Sequence, residues 1–177
     1  MTTTTWTVDN THSSAEFEVQ HLGISTYRSN FRTITGTLNL DENVDGSSLT
    51  ASIEAKSIAT ENPGLKEKLL GEEFFWTEKH PSIEFKSTGF KKRDERHWTM
   101  TGQLTIRGVS RPIELDVMDR GTQVNPFFGK QVKSLRANGA INRGDFGLKW
   151  NAPLDTGGPY LGEQVKIELD VEMVKQG

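Results

Sequence analysis

The alternation between Trp98 and Val117, WTMTGQLTIRGVSRPIELDV, constrains this chain more than any other feature. Met100, Leu104 and Ile106 alternate with Thr101, Gln103, Thr105 and Arg107; beyond a short turn at Gly108, Ile113, Leu115 and Val117 alternate with Pro112, Glu114 and Asp116. A period of two puts every second side chain on the same face, so each arm has one wet and one apolar face. Two such arms around a glycine-containing turn read as an antiparallel hairpin. What the apolar faces enclose then becomes the question on which function turns.

The same pattern recurs along most of the chain. Trp6 to Val8 reads as a short strand, Asp9 to Ser13 as a cluster of turn formers, and Ala15, Phe17, Val19 and His21 as one face of a second strand. Residues 23–30 read as a loop. Ile34, Gly36, Leu38 and Leu40 share a face, while Phe31 has the opposite parity and needs a bulge to join them. Leu49, Ala51, Ile53 and Ala55 continue the alternation. Asn62 suits a helix N-cap, Pro63 the first helical position and Gly71 the residue past the end, with Leu65 and Leu69 as the apolar stripe. Strands resume at Ile83 to Phe90. A long connection is expected over residues 119–133, followed by strands holding Leu135 to Ile141 and Val165 to Met173. The spacing predicts about eight antiparallel strands and one short helix in a single domain, 1–177, folded as a barrel or a sandwich.

Composition narrows the classes. Of 177 residues, 33% are hydrophobic, and the mean hydropathy of −0.57 suits one curled sheet with a wet outer face. A net charge of −3, with no basic run, gives no footprint for nucleic acid. Cysteine is absent, which removes disulfides, thiol nucleophiles and thiolate metal sites. No apolar run reaches the roughly 20 residues of a membrane helix. MTTTTWTVDN lacks the charged and apolar regions of a signal peptide, so a cytoplasmic location is expected, or a periplasmic one if a leader has been removed.

An eight-stranded barrel is just wide enough to be filled by side chains or to hold one small ligand. Ala15, Gly36, Ala51, Ala55, Gly102, Ala137 and Gly139 face inward by parity. They leave room for a ligand, or they mark tight bends in a filled barrel; parity admits both.

Three separated blocks carry a resemblance. Asp9-x-x-His12-Ser13-x-x-x-Phe17-x-Val19-x-His21 opens the chain. Thr60-x-Asn62, Leu69, Phe74-Phe75 and Pro81-x-Ile83-x-Phe85 form the second block. Gly102-Gln103-Leu104-Thr105-Ile106-x-Gly108-Val109 with Pro112-Ile113 forms the third, and Ile141-Asn142-Arg143-x-Asp145-Phe146-Gly147 agrees with them. Together they resemble the YceI-like family of lipocalin-like antiparallel barrels, which bind polyisoprenoid or other long amphiphilic lipids. The chain departs from the family pattern at Leu65-Lys66, where Arg-Asp is usual, at Trp76, where an acidic residue is usual, and at His80, where Tyr is common.

The resemblance implies an all-β, single antiparallel barrel that carries or stores a long-chain amphiphilic lipid: a polyisoprenoid, an isoprenoid quinone or phosphate, or a fatty acid or amide. It also implies a homodimer, for which the long strand ending at Met173 is the expected pairing edge. Tail contacts are expected from Phe17, Val19, Phe31, Ile34, Phe74, Phe75, Phe85, Trp98, Leu104, Ile106, Leu115 and Phe146. Head contacts are expected from His12, His21, Arg107 and Arg143, the arginines because a guanidinium fork suits an anionic head.

No catalytic residue, metal site or cofactor is expected. His12, His21, His80 and His97 have no zinc-motif spacing, and Asp9, His12 and Ser13 crowd one short turn without a Gly-x-Ser-x-Gly elbow. Two other readings stay open: a small hydrolase or isomerase with an apolar substrate, and a filled barrel acting as a stress or interaction protein.

Overall fold

A computed structural model describes residues 2–177; Met1, the first residue of the expected domain, lies outside them. The strands are β1 (Thr3–His21), β2 (Ser25–Phe31), β3 (Ile34–Asp41), β4 (Ser48–Glu54), β5 (Ser82–Lys92), β6 (His97–Ile106), β7 (Val109–Val124), β8 (Gln131–Asn142) and β9 (Leu161–Lys175). One helix, α1 (Pro63–Leu70), lies between β4 and β5. Neighbouring strands are antiparallel, and β9 pairs back onto β1 to close the sheet. The first part of β1 pairs with β3 and the last part with β2. Because β2 and β3 share one place in the wall, nine strands close an eight-strand barrel.

The hairpin predicted from the alternation is β6–β7. Ile106 pairs with Val109 across a two-residue turn in which Arg107 and Gly108 have φ of 53° and 72°. Positive φ at both central residues is the turn whose twist matches the flanking strands. Met100, Leu104, Ile106, Leu115 and Val117 are buried, while Gln103 and Glu114 are exposed. α1 forms as its caps predict: Asn62 Oδ1 accepts from the Leu65 amide at 3.0 Å, and the Gly71 amide returns to Glu67 O.

Five local readings are corrected. Residues 25–31 form strand β2 rather than a loop. The expected connection 119–133 is mostly strand, because β7 and β8 extend to a turn near Asn125–Lys130. Phe31 reaches the interior without a bulge: it ends β2, the chain turns at Arg32 and Thr33, and Ile34 opens β3 with both side chains buried. The strand ending at Met173 has no free edge, since β9 is paired on both sides, so it cannot serve as the dimer edge.

Asp9 to Ser13 is not a turn between strands but a bulge within β1. Between Asp9↔Glu172 and Ser14↔Asp170, β1 advances five residues while β9 advances two. The odd excess flips parity, which is why Trp6 and Val8 face inward before it and Ala15, Phe17 and Val19 face inward after it. The bulge's own side chains hold it. Ser13 Oγ donates to Asp9 O at 2.6 Å and accepts from the Glu172 amide at 3.0 Å, and Asn10 Oδ1 accepts from the Ile34 amide at 2.6 Å.

Two apolar clusters divide the interior. Trp6, Leu38, Phe90, Trp98 and Met173 pack together at one end, where Val44 in a 3₁₀ turn is also buried. Phe31, Ile58, Leu69, Ile83, Leu104 and Phe146 pack at the other, beneath α1.

Candidate functional site

Between these clusters the barrel encloses a cavity of about 510 Å³, within the usual range for small-molecule sites. Its wall is overwhelmingly apolar. Each of β1, β3, β5, β6, β8 and β9 contributes alternate residues, among them Val19, Ile34, Phe85, Leu104, Ala137 and Ile167. Trp98, Met100 and Met173 form part of the lining toward the tightly packed end.

Two of the inward glycines, Gly102 and Gly139, do not create this volume directly. A Cβ on Gly102 would lie 2.3 Å from Phe85 Cζ, and one on Gly139 would lie 2.6 Å from Leu115 Cδ2. Both positions are slots into which a neighbouring large side chain lies flat against the wall. At these two positions small residues let large ones press outward, while Ala15, Gly36, Ala51 and Ala137 line the cavity themselves.

The α1 end is ringed by aromatic side chains. His21 meets Tyr160 edge-on with ring centroids 4.9 Å apart, Tyr160 meets Trp150 at 5.5 Å, and Trp150 meets Phe74 at 5.5 Å. Lys68 on α1 places its ammonium 3.7 Å from the centre of the Trp150 ring. Phe75 packs edge-on against Phe31. The outer side of this end holds two more residues with positive φ, Leu22 at 56° and Trp76 at 48°.

Eleven of the twelve expected tail residues line the cavity: Phe17, Val19, Phe31, Ile34, Phe74, Phe75, Phe85, Trp98, Leu104, Ile106 and Leu115. Phe146 does not; it is 1% exposed and packs behind the wall against Leu148 and its neighbours. The two Phe pairs have different fates. Phe74-Phe75 enters the lining, whereas Phe127 and Phe128 project into solvent from the β7–β8 turn.

The four expected head residues separate. His21 and Arg143 line the cavity. His12 is on the outer surface at the bulge, where its Nδ1 lies 2.9 Å from Asp9 Oδ2 and 3.8 Å from Glu172 Oε1. The carboxylate beside it raises the His12 pKa, and His12 in turn lowers that of Asp9. These three side chains hold their nitrogen and oxygen ligand atoms within 4.8 Å of one another, a grouping invisible in the spacing of the histidines because Glu172 comes from β9. Arg107 is also outside the lining; it donates to Gly147 O at 3.2 Å and lies beside Trp76.

Arg143 is buried, and its fork is occupied by main-chain carbonyls. Nε donates to Gly162 O at 2.7 Å; the two terminal nitrogens donate to Leu148 O, Trp150 O and Leu161 O. Four of its five N–H groups are therefore spent fixing the segment that carries Trp150 and Tyr160. Burial lowers its pKa, against the pull of Glu163.

Sequence reading missed Tyr27, Trp150 and Tyr160. Tyr27 pairs with Val19 across β1–β2, which puts its ring on the inner face beside Phe17. The available signal was its shared parity with Phe31, hidden once residues 23–30 read as a loop.

Comparison with known proteins matches residues 6–173 to a YceI-like domain. The chain belongs to the YceI-like family. Among curated relatives, UPF0312 protein SA2479 of Staphylococcus aureus (strain N315) is 34% identical over 171 residues, covering 96% of each chain. Solved structures share the barrel. The Campylobacter jejuni YCEI protein is 27% identical with a TM-score of 0.72, covering 89% of this chain and 90% of that one. Burkholderia cenocepacia BcnA is 16% identical with a TM-score of 0.81, covering 93% and 98%. A polyisoprenoid binding domain from Saccharophagus degradans, 11% identical, superposes with a TM-score of 0.65 over 97% and 98%. The last two likenesses are of fold.

Proposed function

We propose that this YceI-like protein is a lipid carrier or store that takes up a long isoprenoid or similar chain along the barrel axis. The observation that carries the reading is the 510 Å³ cavity with an almost wholly apolar wall, reached past an aromatic ring beneath α1. Apolar surface leaving water contributes about 25 cal/mol per Å², so a chain of many methyl and methylene groups binds firmly with few polar contacts. Membership of the family, and the printed description of the Saccharophagus degradans domain as polyisoprenoid binding, point to the same class of ligand.

Binding needs no reaction. The groups whose pKa is displaced are Asp9, His12, Asp94 and Arg143; the first three are on the outer surface, and Arg143 is held by carbonyls. No pair of them forms an acid and a base facing the cavity. No helix among the described residues is long and apolar enough to cross a membrane.

Native mass spectrometry followed by lipid extraction tests the reading. A stoichiometric co-purifying long-chain lipid is expected. A clean apo mass, together with no rise in unfolding temperature on adding a C20 prenol, would sink it.

A further inference from the structure

The cavity is blind at the end away from α1. On β1, β3, β7 and β8 the last lining residues toward that end are Val8, Gly36, Val117 and Leu135. The next inward positions on the same strands, Trp6, Leu38, Asp119 and Lys133, lie outside the lining and plug the barrel. Leu38 is 0% and Trp6 4% exposed. Lys133 is buried, with its ammonium 2.6 Å from Asp119 Oδ2 and 5.7 Å from the centre of the Trp6 ring. Trp98 is the deepest lining residue of β6; it is buried and packs edge-on against Phe90, with ring centroids 6.5 Å apart. Met100 stands one inward step nearer the mouth.

From Trp98 to Ile106, the last residue of β6, a rise of about 3.3 Å per residue gives roughly 26 Å of strand, which a tilt of about 40° shortens to about 20 Å along the axis. Spread over that depth, 510 Å³ leaves a cross-section of about 25 Å². That admits one hydrocarbon chain at the roughly 3.5–4.0 Å spacing of touching carbons, and is too narrow for a chain folded back on itself. An extended carbon chain, with bonds of about 1.52 Å at about 111°, advances about 1.25 Å per bond, so an isoprene unit with four bonds in line takes about 5 Å. We propose that the cavity measures its ligand: it takes a prenyl chain tail-first and single-file, holds roughly four isoprene units, and is cut off by Trp98. The inference rests on the carrier reading above and adds a length to it. A polar head stays at the α1 end, beside solvent and Lys68, because sinking it into the apolar wall would strip its water. A fifth unit therefore remains in the mouth and gains little burial.

The test is a series of prenols that differ by one unit, from geraniol (C10) through farnesol, geranylgeraniol (C20) and geranylfarnesol to hexaprenol (C30), each displacing tritiated farnesol from the full-length protein. Every unit up to geranylgeraniol should tighten binding at least about tenfold, as several newly buried methylenes would. The two longer prenols should gain less than about threefold more. Trp98→Leu, which lowers the floor, should let geranylfarnesol bind at least about fivefold more tightly than geranylgeraniol. Met100→Trp, which raises it, should bring the plateau back to farnesol. One variant removes volume and the other adds it, so a folding defect in one leaves the other as the test. Affinity that keeps climbing about tenfold per unit through hexaprenol, or a plateau that stays at geranylgeraniol in both variants, overturns the length limit set by Trp98 and leaves the carrier reading standing. Failure of the parent protein to bind any of the prenols overturns both.

Discussion

The two ends of the barrel are built from the same alternating strands, yet one is a core and the other a site. At the Trp6 end, Leu38 is 0% and Met173 1% exposed, and the side chains facing each other are large and apolar. At the α1 end, Leu65, Phe74, Trp150 and Tyr160 are only partly buried, and polar tips from His21, Tyr27 and Arg143 come among them. Alternation alone therefore decides which face is dry but not whether the dry face is filled. What differs is the chain that covers each end. A short 3₁₀ turn with Val44 closes one end, while a helix and two aromatic loops ring the other.

The sharpest way to break that contrast is to cut into each end in turn. Leu38→Ala, at the packed end, should cost about 2–5 kcal/mol, measured by urea unfolding, and leave lipid affinity unchanged at temperatures where the protein is folded. An effect below about 1 kcal/mol there would mean that the Trp6 end is no tighter than the mouth. Leu104→Arg puts a charge on the cavity wall and should abolish uptake of a C20 prenol. Gln103→Arg, one residue away on the wet face, should change neither uptake nor folding by more than about 0.5 kcal/mol. Equal losses of uptake from both would show that the wall assignment is wrong.

Much of this was legible in the chain because a period of two is a local signal. The β6–β7 hairpin and α1 with its Asn62 cap follow from parity and turn chemistry, and eleven wall residues were reached by parity together with the family resemblance, which alone brought in Phe74 and Phe75. Three things were not legible. The bulge at Asp9 to Ser13 uses side chains that favour turns, and only pairing with β9 makes them part of a strand. β2 is short and largely polar on its outer face, so Tyr27 looked like a loop residue. Arg143 reads from the sequence as an arginine fixed by neighbouring carbonyls or Asp145, or as one offered to an anionic head; which carbonyls hold it becomes visible only when the main chain from Leu148 to Gly162 folds over it, a contact no spacing rule contains. Each miss is a tertiary contact overriding a local preference.

The mouth can be probed with a smaller change. Phe74→Ala removes one member of the aromatic ring but leaves Trp150 held by Tyr160 and Lys68. Because Phe74 is only partly buried, the loss of stability should be below the roughly 3–5 kcal/mol of a fully buried Phe truncation. Lipid dissociation, followed by transfer to acceptor vesicles, should speed up several-fold. A stability loss as large as that of Leu38→Ala, with no change in dissociation, would make the ring an ordinary piece of core.

The smallest expected effect lies at the joint between the two ends, where the bulge flips the parity of β1. Folding raises the His12 pKa, chiefly through its hydrogen bond to Asp9, and that same bond lowers the Asp9 pKa. A raised histidine pKa contributes stability that is complete below its unfolded value, about 6.5, and is lost as pH rises through the higher folded value. A lowered aspartate pKa contributes stability that is complete above about 3.9 and is lost as pH falls through the lower folded value. The pair therefore steadies the bulge fully from about pH 4 to 6.5 and progressively less at alkaline pH. His12→Gln should lower the unfolding temperature modestly at pH 5.5 and less at pH 9, with lipid affinity the same at both, since His12 is outside the cavity lining. A deficit that grows with pH would mean the histidine is held neutral, and the ion pair would not be what fixes the joint.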